Sequence, residues 1–191
     1  MYYPYVEKSI GDKADVLDIG CGDGELARFL SDKERYVIGL DISDECITKA
    51  QELTGETEKI KYVNCSFEKF DAKGRLFDAV VFVASIHHMD MEKAIVKAKA
   101  LLRENGKLVI VGIAAPSSLV DWMVEALRII PCKIGSAFHR MQSSEKLNIP
   151  TSYTVLKMSK IRKIVSAVIP KARLKYGLYY RYILTWENKN K

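Results

Sequence analysis

The 191-residue chain reads as an α/β protein: a doubly wound, mostly parallel sheet of seven strands with helices on both faces, closed by a C-terminal antiparallel hairpin. Three observations predict this class. Short, nearly unbroken apolar segments recur at 14–20, 35–41, 77–84 and 107–113, as strands buried on both faces require. Segments of helical periodicity separate them, and such alternation builds a parallel sheet. After Gly177, the residues Leu178, Tyr180, Tyr182, Leu184 and Trp186 fall at alternate positions, the pattern of one face of a hairpin strand.

Each element follows from local pattern. ADVLDIG (14–20) is a buried strand ending in glycine, and ELARFLSDK (25–33) sets Leu26, Phe29 and Leu30 on one helical face. RYVIGLD (35–41) is the second strand. Ser43 or Asp44 then caps a helix carrying Ile47, Ala50 and Leu53. KIKYVN (59–64) and FDAVVFVA (77–84) are the third and fourth strands. Asp90 caps a helix on which Met91, Ala94, Ile95, Ala98, Leu101 and Leu102 recur, and Asn105-Gly106 ends it before the fifth strand, KLVIVGI (107–113). SSLVDWMVEALRII (117–130) is an amphipathic helix, 131–152 lacks periodicity, and 153–169 is a basic helix stopped by Pro170. The expectation is a single domain over 1–191, with 114–152 as a substrate-side helix and lid.

Composition is that of an ordinary globular protein, 48% hydrophobic and 28% charged. The start, MYYPYVEKSI, lacks the basic and apolar regions of a signal peptide, and runs such as 108–115 are too short to span a bilayer. Cys21, Cys46, Cys65 and Cys132 are scattered without the paired spacing of a zinc site. They read as reduced thiols of a cytoplasmic protein, with no metal expected. The net charge of +6 is uneven: 151–191 carries +9 and the remainder −3. That basic segment is a solvated face in the plainer reading, and otherwise a surface for an acidic partner, RNA or an anionic membrane.

The informative stretch is VLDIGCGDGELARFL (16–30): a strand, glycines at 20, 22 and 24, then a helix. Glycines permit a sharp turn and let a ligand touch the backbone, and the helix start offers unpaired N–H groups and partial positive charge. Dinucleotides and S-adenosylmethionine both suit such a turn. The dinucleotide fingerprint needs its third glycine at position 25, which is Glu25 here. Asp18, at the strand end, would repel a pyrophosphate and welcome an amine or a sulfonium. The bland alternatives are a tight turn without a ligand and, for Asp41, a helix cap.

VLDIGCGDG resembles motif I of the class I S-adenosylmethionine-dependent methyltransferases, acid-x-Gly-x-Gly-x-Gly, as found in their small methyltransferase-domain members. The order is kept beyond it: Asp41 closes the second strand in VIGLDIS, FDAVVFVASIHHM is similar to the fourth strand and its loop, and LLRENGKLVIVG to the turn and fifth strand. The resemblance spans about residues 14–113 and the closing hairpin. It implies a Rossmann-like fold, S-adenosylmethionine as cofactor and S-adenosylhomocysteine as product. It further implies that Asp18, Gly20, Cys21, Gly22 and Gly24 hold the methionine end, Asp41 and Ile42 the ribose region, Cys65, Ser66 and Phe67 the adenine, and that Ala84 lines the transfer site. One departure stands out: Cys65 or Ser66 falls where the family usually places an Asp on the adenine amine, and a hydroxyl is the weaker acceptor.

The activity so implied is in-line methyl transfer to O, N, S or C, in which the protein supplies chiefly proximity and orientation, about 7–11 kcal/mol of a barrier. His88 is a candidate general base and His87 a substrate-orienting residue, unless both merely open the loop before Asp90. Trp122, Met123, Phe138 and His139, from 114–152, are candidate substrate contacts whose apolar and aromatic mix suits a small organic molecule. ASIHHM lacks the Asn/Asp-Pro-Pro-aromatic signature of enzymes acting on exocyclic base amines, and Pro131-Cys132 lies outside the setting of a 5-methylcytosine nucleophile. Two alternatives stand beside this: an RNA methyltransferase using the basic C-terminal face, with Tyr176, Tyr179, Tyr180 and Tyr182 as a stacking surface, and a non-catalytic cofactor-binding regulator.

Overall fold

The structure is a computed structural model that describes residues 2–115, 155–177 and 180–189. Its strands are β1 (Lys13–Ile19), β2 (Glu34–Asp41), β3 (Ile60–Asn64), β4 (Phe77–Val83), β5 (Leu102–Ile113), β6 (Arg173–Tyr176) and β7 (Arg181–Glu187). They form one sheet in the order β3-β2-β1-β4-β5-β7-β6. The first five are parallel, and β7 runs antiparallel to both β5 and β6. This is the doubly wound, hairpin-closed sheet that the sequence predicts. The helices are α1 (Tyr3–Ile10), α2 (Glu25–Ser31), α3 (Asp44–Thr54), α4 (Met91–Ala100) and α5 (Met158–Val168), with a 3-10 turn at Ile86–His88.

The unbroken apolar strands bury alternate residues on opposite faces. One face sets Leu17, Ile19, Leu40, Phe82 and Ile110 against Met91, Ile95 and Ala98 of α4 and Ile161 and Val165 of α5. The other sets Val16, Val37, Val81 and Val109 against Leu26 and Leu30 of α2 and Val6 and Ile10 of α1. The expected caps form: Ser43 Oγ accepts from Cys46 N–H at 3.2 Å, and Asp90 Oδ1 from Lys93 N–H at 3.1 Å.

The sequence reading has no element before residue 14, yet α1 forms there. Pro4 starts it, and Gly11, at φ 87°, ends it. Its end is held by Arg35, only 2% exposed, whose Nε and Nη2 donate to Gly11 O at 2.8 and 2.6 Å while Nη1 donates to Leu30 O at 3.1 Å. One buried guanidinium thus joins β2 to the last turns of α1 and α2.

A second difference concerns α4, which stops at Ala100 rather than running to Asn105-Gly106. Leu102 leaves the helical face and pairs with Phe77 in the sheet. Asn105 takes φ 61° and marks a shift of register, and Asn188 binds the bend by donating to Leu102 O and Arg103 O at 3.1 Å. The amphipathic segment at 117–130 and the loop at 131–152 lie outside the described residues. Among those described, no helix is long and apolar enough to cross a membrane.

Candidate cofactor and acceptor sites

In the strand order, β1 and β4 mark where the chain's direction of winding reverses. Ligands of open α/β sheets bind outside the carboxyl ends of the strands at this point. Asp18, Gly20, Cys21, Gly22, Gly24, Asp41, Ile42, Cys65, Ser66 and Ala84 all lie at or just beyond the carboxyl ends of β1–β4.

The glycine bend is fixed by geometry that only glycine meets. Gly20 and Gly24 have φ of 73° and 77°. A Cβ at Gly20 would come within 2.4 Å of Ser85 Cβ, and one at Gly24 within 2.2 Å of the Tyr62 hydroxyl. A Cβ at Gly22 would meet nothing within 4 Å, so the backbone there faces open space. The bend is sewn to the end of β2: Gly20 and Cys21 N–H donate to Leu40 O at 2.8 and 2.9 Å, and Gly22 N–H to Asp41 Oδ2 at 2.9 Å. Asp41 Oδ1 accepts from Ser43 N–H at 2.9 Å. The Asp41 carboxylate is therefore held in place by one N–H from each side.

Asp18 is the contrasting case. It is 1% exposed, and its Oδ2 is buried without a hydrogen-bond partner among the described residues. Burial, with a smaller contribution from the Asp41 charge, pushes its carboxyl up to about 7. An orphaned buried acceptor of this kind is costly, and a ligand bearing N–H donors or positive charge relieves it. Ile42 beside Asp41 is 77% exposed and offers an apolar surface at the rim. Cys65 N–H donates to Asp41 O at 2.9 Å, and the Ser66 hydroxyl accepts from Lys69 N–H at 3.4 Å.

Phe67, expected beside the adenine, is also part of the core. It is 5% exposed and packs edge-to-face on Phe82, with ring centroids 5.6 Å apart and Lys97 Nζ 5.2 Å from its ring. The apolar core beneath the sheet claims this ring, which anchors the 64–67 loop. Sequence reasoning also missed several supporting residues. Ser85 donates to Ile19 O, Tyr62 shares a 2.9 Å hydrogen bond with Thr54 Oγ1, and Asn64 Nδ2 donates to Ile42 O at 3.1 Å. Ala84 adopts φ 55°, a conformation a non-glycine residue keeps only where its surroundings enforce it.

Past Ser85 the chain turns through Ile86–His88 into a cavity of about 280 Å³, between α4, α5 and β7. Its walls include Ile86, His87, Met89, Ile113, Ile161 and Tyr182. His87 Nδ1 is buried with no partner among the described residues. Burial first, then the neighbouring His88 and Arg181, lowers its pKa to about 4, so the imidazole is neutral at physiological pH. The His87 and His88 rings lie 4.0 Å apart. Trp122, Met123, Phe138 and His139 lie outside the described residues. A wider cleft of about 540 Å³, lined by residues including Lys13, Glu34, Tyr36 and Asp78, opens at the amino ends of the strands. Charges there are already paired, as in Arg103 with Asp15 and Asp78 at 2.8 and 2.7 Å, and it is remote from the glycine bend.

Comparison with known proteins agrees with this geometry. The family model of the methyltransferase domain matches residues 16–106, from within β1 to the bend in β5. An uncharacterized methyltransferase of Mycobacterium tuberculosis is 28% identical over 173 residues, 90% of this chain and 85% of the relative. The N-methyltransferase NodS of Bradyrhizobium japonicum, solved with S-adenosylhomocysteine, shares the fold at TM-score 0.66 and 16% identity, over 98% of this chain and 84% of that one. The 1,6-didemethyltoxoflavin-N1-methyltransferase of Burkholderia thailandensis, solved with that compound and S-adenosylhomocysteine, does so at TM-score 0.65 and 16% identity, over 98% and 76%.

Proposed function

From the premise that the chain belongs to the class I S-adenosylmethionine-dependent methyltransferases, we propose that it methylates a small organic molecule in the cavity beside His87. The observation that carries the cofactor half is Asp18, a fully buried carboxylate with an unmatched oxygen at the topological switch point. Bound there, S-adenosylmethionine supplies a methyl group already activated on its sulfonium. Asp18 and the 20–24 backbone receive the amino acid end, Asp41 accepts the ribose hydroxyls, and Ile42, Cys65 and Ser66 border the adenine. Ser85 braces the bend, so the backbone meets its ligand without rearranging.

The acceptor half rests on the cavity. Its walls are mainly apolar, its volume fits a small ring system, and a neutral imidazole stands in it with a nitrogen unmatched among the described residues. His87, more than His88, has the properties of a group that accepts the proton or hydrogen bond of an attacking hydroxyl or amine. The toxoflavin N-methyltransferase, which shares the fold, holds a small heterocycle. The RNA reading draws on exposed cations of α5 and β6, with Arg162 5.4 Å over the Tyr176 ring. The test is transfer of labelled methyl from S-adenosylmethionine into separated metabolite and RNA fractions. Label in a small metabolite, reduced at least tenfold by His87→Ala, supports the proposal. Label only in RNA favours the basic face, and none in either fraction refutes enzymatic transfer.

A further inference from the structure

We infer that α1 is a working part of the cofactor site, and that the Tyr3–Glu25 hydrogen bond latches it over the methionine end of the cleft. This rests on the reading that the cleft takes S-adenosylmethionine. The Tyr3 hydroxyl donates to Glu25 Oε2 at 3.0 Å, and Glu25 is the first residue of α2, directly after the glycine bend. The Tyr3 ring packs on Phe29 with centroids 5.7 Å apart. On the other side, the neighbouring Tyr2 ring lies 5.7 Å from the Arg181 guanidinium, and Arg181 pairs with Ile113 at the carboxyl end of β5. Residues 2 and 3 thus run as a strap from β7 to α2, over the ends of the strands that flank the switch point.

The strap's anchorage is firm. Val6 and Ile10 are buried against the sheet, and Arg35 grips the carbonyl that ends the helix. The Tyr3 hydroxyl stands in the field of Glu25, Asp18 and Asp23, and burial together with those charges raises its pKa well above the usual phenol range, so it remains a donor. Beneath it, the unmatched oxygen of Asp18 independently points to a ligand bearing N–H donors. Glu25 would otherwise set a loose carboxylate directly beside the glycine bend, where it would repel the ligand's own carboxylate. Tyr3 binds that charge and turns it toward α1. Tyr3 is therefore a positioning residue that acts through Glu25.

The experiment compares two ligands on the whole chain by titration calorimetry: S-adenosylhomocysteine, and 5′-methylthioadenosine, which keeps the adenosine and sulfur but lacks the amino acid. Tyr3→Phe keeps the ring on Phe29 and removes one hydrogen bond. Its affinity for S-adenosylhomocysteine should fall about five- to tenfold while that for methylthioadenosine stays within twofold. Glu25→Gln in the Tyr3→Phe background removes the released charge and should return S-adenosylhomocysteine affinity to within about twofold of wild type, and a double variant as weak as Tyr3→Phe would overturn the role of Glu25. Hydrogen exchange across residues 3–10 should slow with S-adenosylhomocysteine and not with methylthioadenosine. Equal losses for the two ligands, or no loss in Tyr3→Phe, overturn the latch. If wild type binds neither ligand, the cofactor reading beneath it fails instead.

Discussion

Replacing Asp18 by Asn separates stability from function at one atom. Raising a carboxyl from its ordinary 3.8 to about 7 means that the ligand-free protein at pH 8 holds an ionised group in a site that disfavours it. At about 1.4 kcal/mol per pH unit, the penalty is on the order of 4 kcal/mol. The sign follows from the direction. Below 3.8 the carboxyl is neutral in both folded and unfolded chains, and the term vanishes. Between 3.8 and 7 the unfolded chain is ionised while the folded chain is not, so stability falls as pH rises. Above 7 the loss is complete and constant. Asn cannot ionise, and other titrating groups cancel when the variant is compared with wild type. Urea unfolding of both proteins from pH 4 to 8 should show the variant's advantage growing up to pH 7 and then levelling. The same variant should lose S-adenosylhomocysteine binding, because an amide gives an ammonium no charge. A pH-independent stability difference, or retained binding, would refute the argument.

Four further outcomes follow. Gly24→Ala, which drives a Cβ into the Tyr62 hydroxyl at φ 77°, should cost about 2–4 kcal/mol by urea denaturation, and Tyr62→Phe in that background should recover part of it. Gly22→Ala meets no atom and should cost only about 1–2 kcal/mol. Arg35→Met strips the donors from Gly11 O and Leu30 O and should destabilise by about 3–5 kcal/mol in the same assay. Because His87 is neutral down to about pH 4, kcat at saturating cofactor should show no inflection between pH 5.5 and 8.5 from this group. An inflection near 6.5 that His87→Gln abolishes would contradict its assigned environment.

Much of the frame was legible because its signals are local. Parallel strands buried on both faces must be continuously apolar, and Ala79–Phe82 and Leu108–Val111 are. The bend at 20–24 announced itself through glycines whose φ is positive. What escaped the sequence acts through space. Tyr62, Asn64 and Ser85 brace the cleft from the ends of two strands, β3 and β4, and no spacing rule joins them to Gly24, Asp41 and Gly20. Helix α1 is only eight residues long, and its stabilising partner, Arg35, lies 24 residues beyond the glycine it holds. At Phe67 the sequence leaves two roles open, because an aromatic residue after a strand end suits a core and a ligand equally, and only the fold shows its packing on Phe82. Asn105-Gly106 misled for a related reason: the pair marks a bend in β5, and Leu102, paired with Phe77, had already left the helix.

The most direct test is calorimetric titration of wild type and Asp41→Ala with S-adenosylhomocysteine, with NAD as the contrasting adenosine ligand. One molecule of S-adenosylhomocysteine should bind per wild-type chain, at least tenfold more weakly to Asp41→Ala, and NAD should give no heat. Wild type that takes up NAD in preference, or an alanine variant that binds S-adenosylhomocysteine as tightly, would contradict the convergence of Asp18, the glycine bend and Asp41 on one adenosyl cofactor.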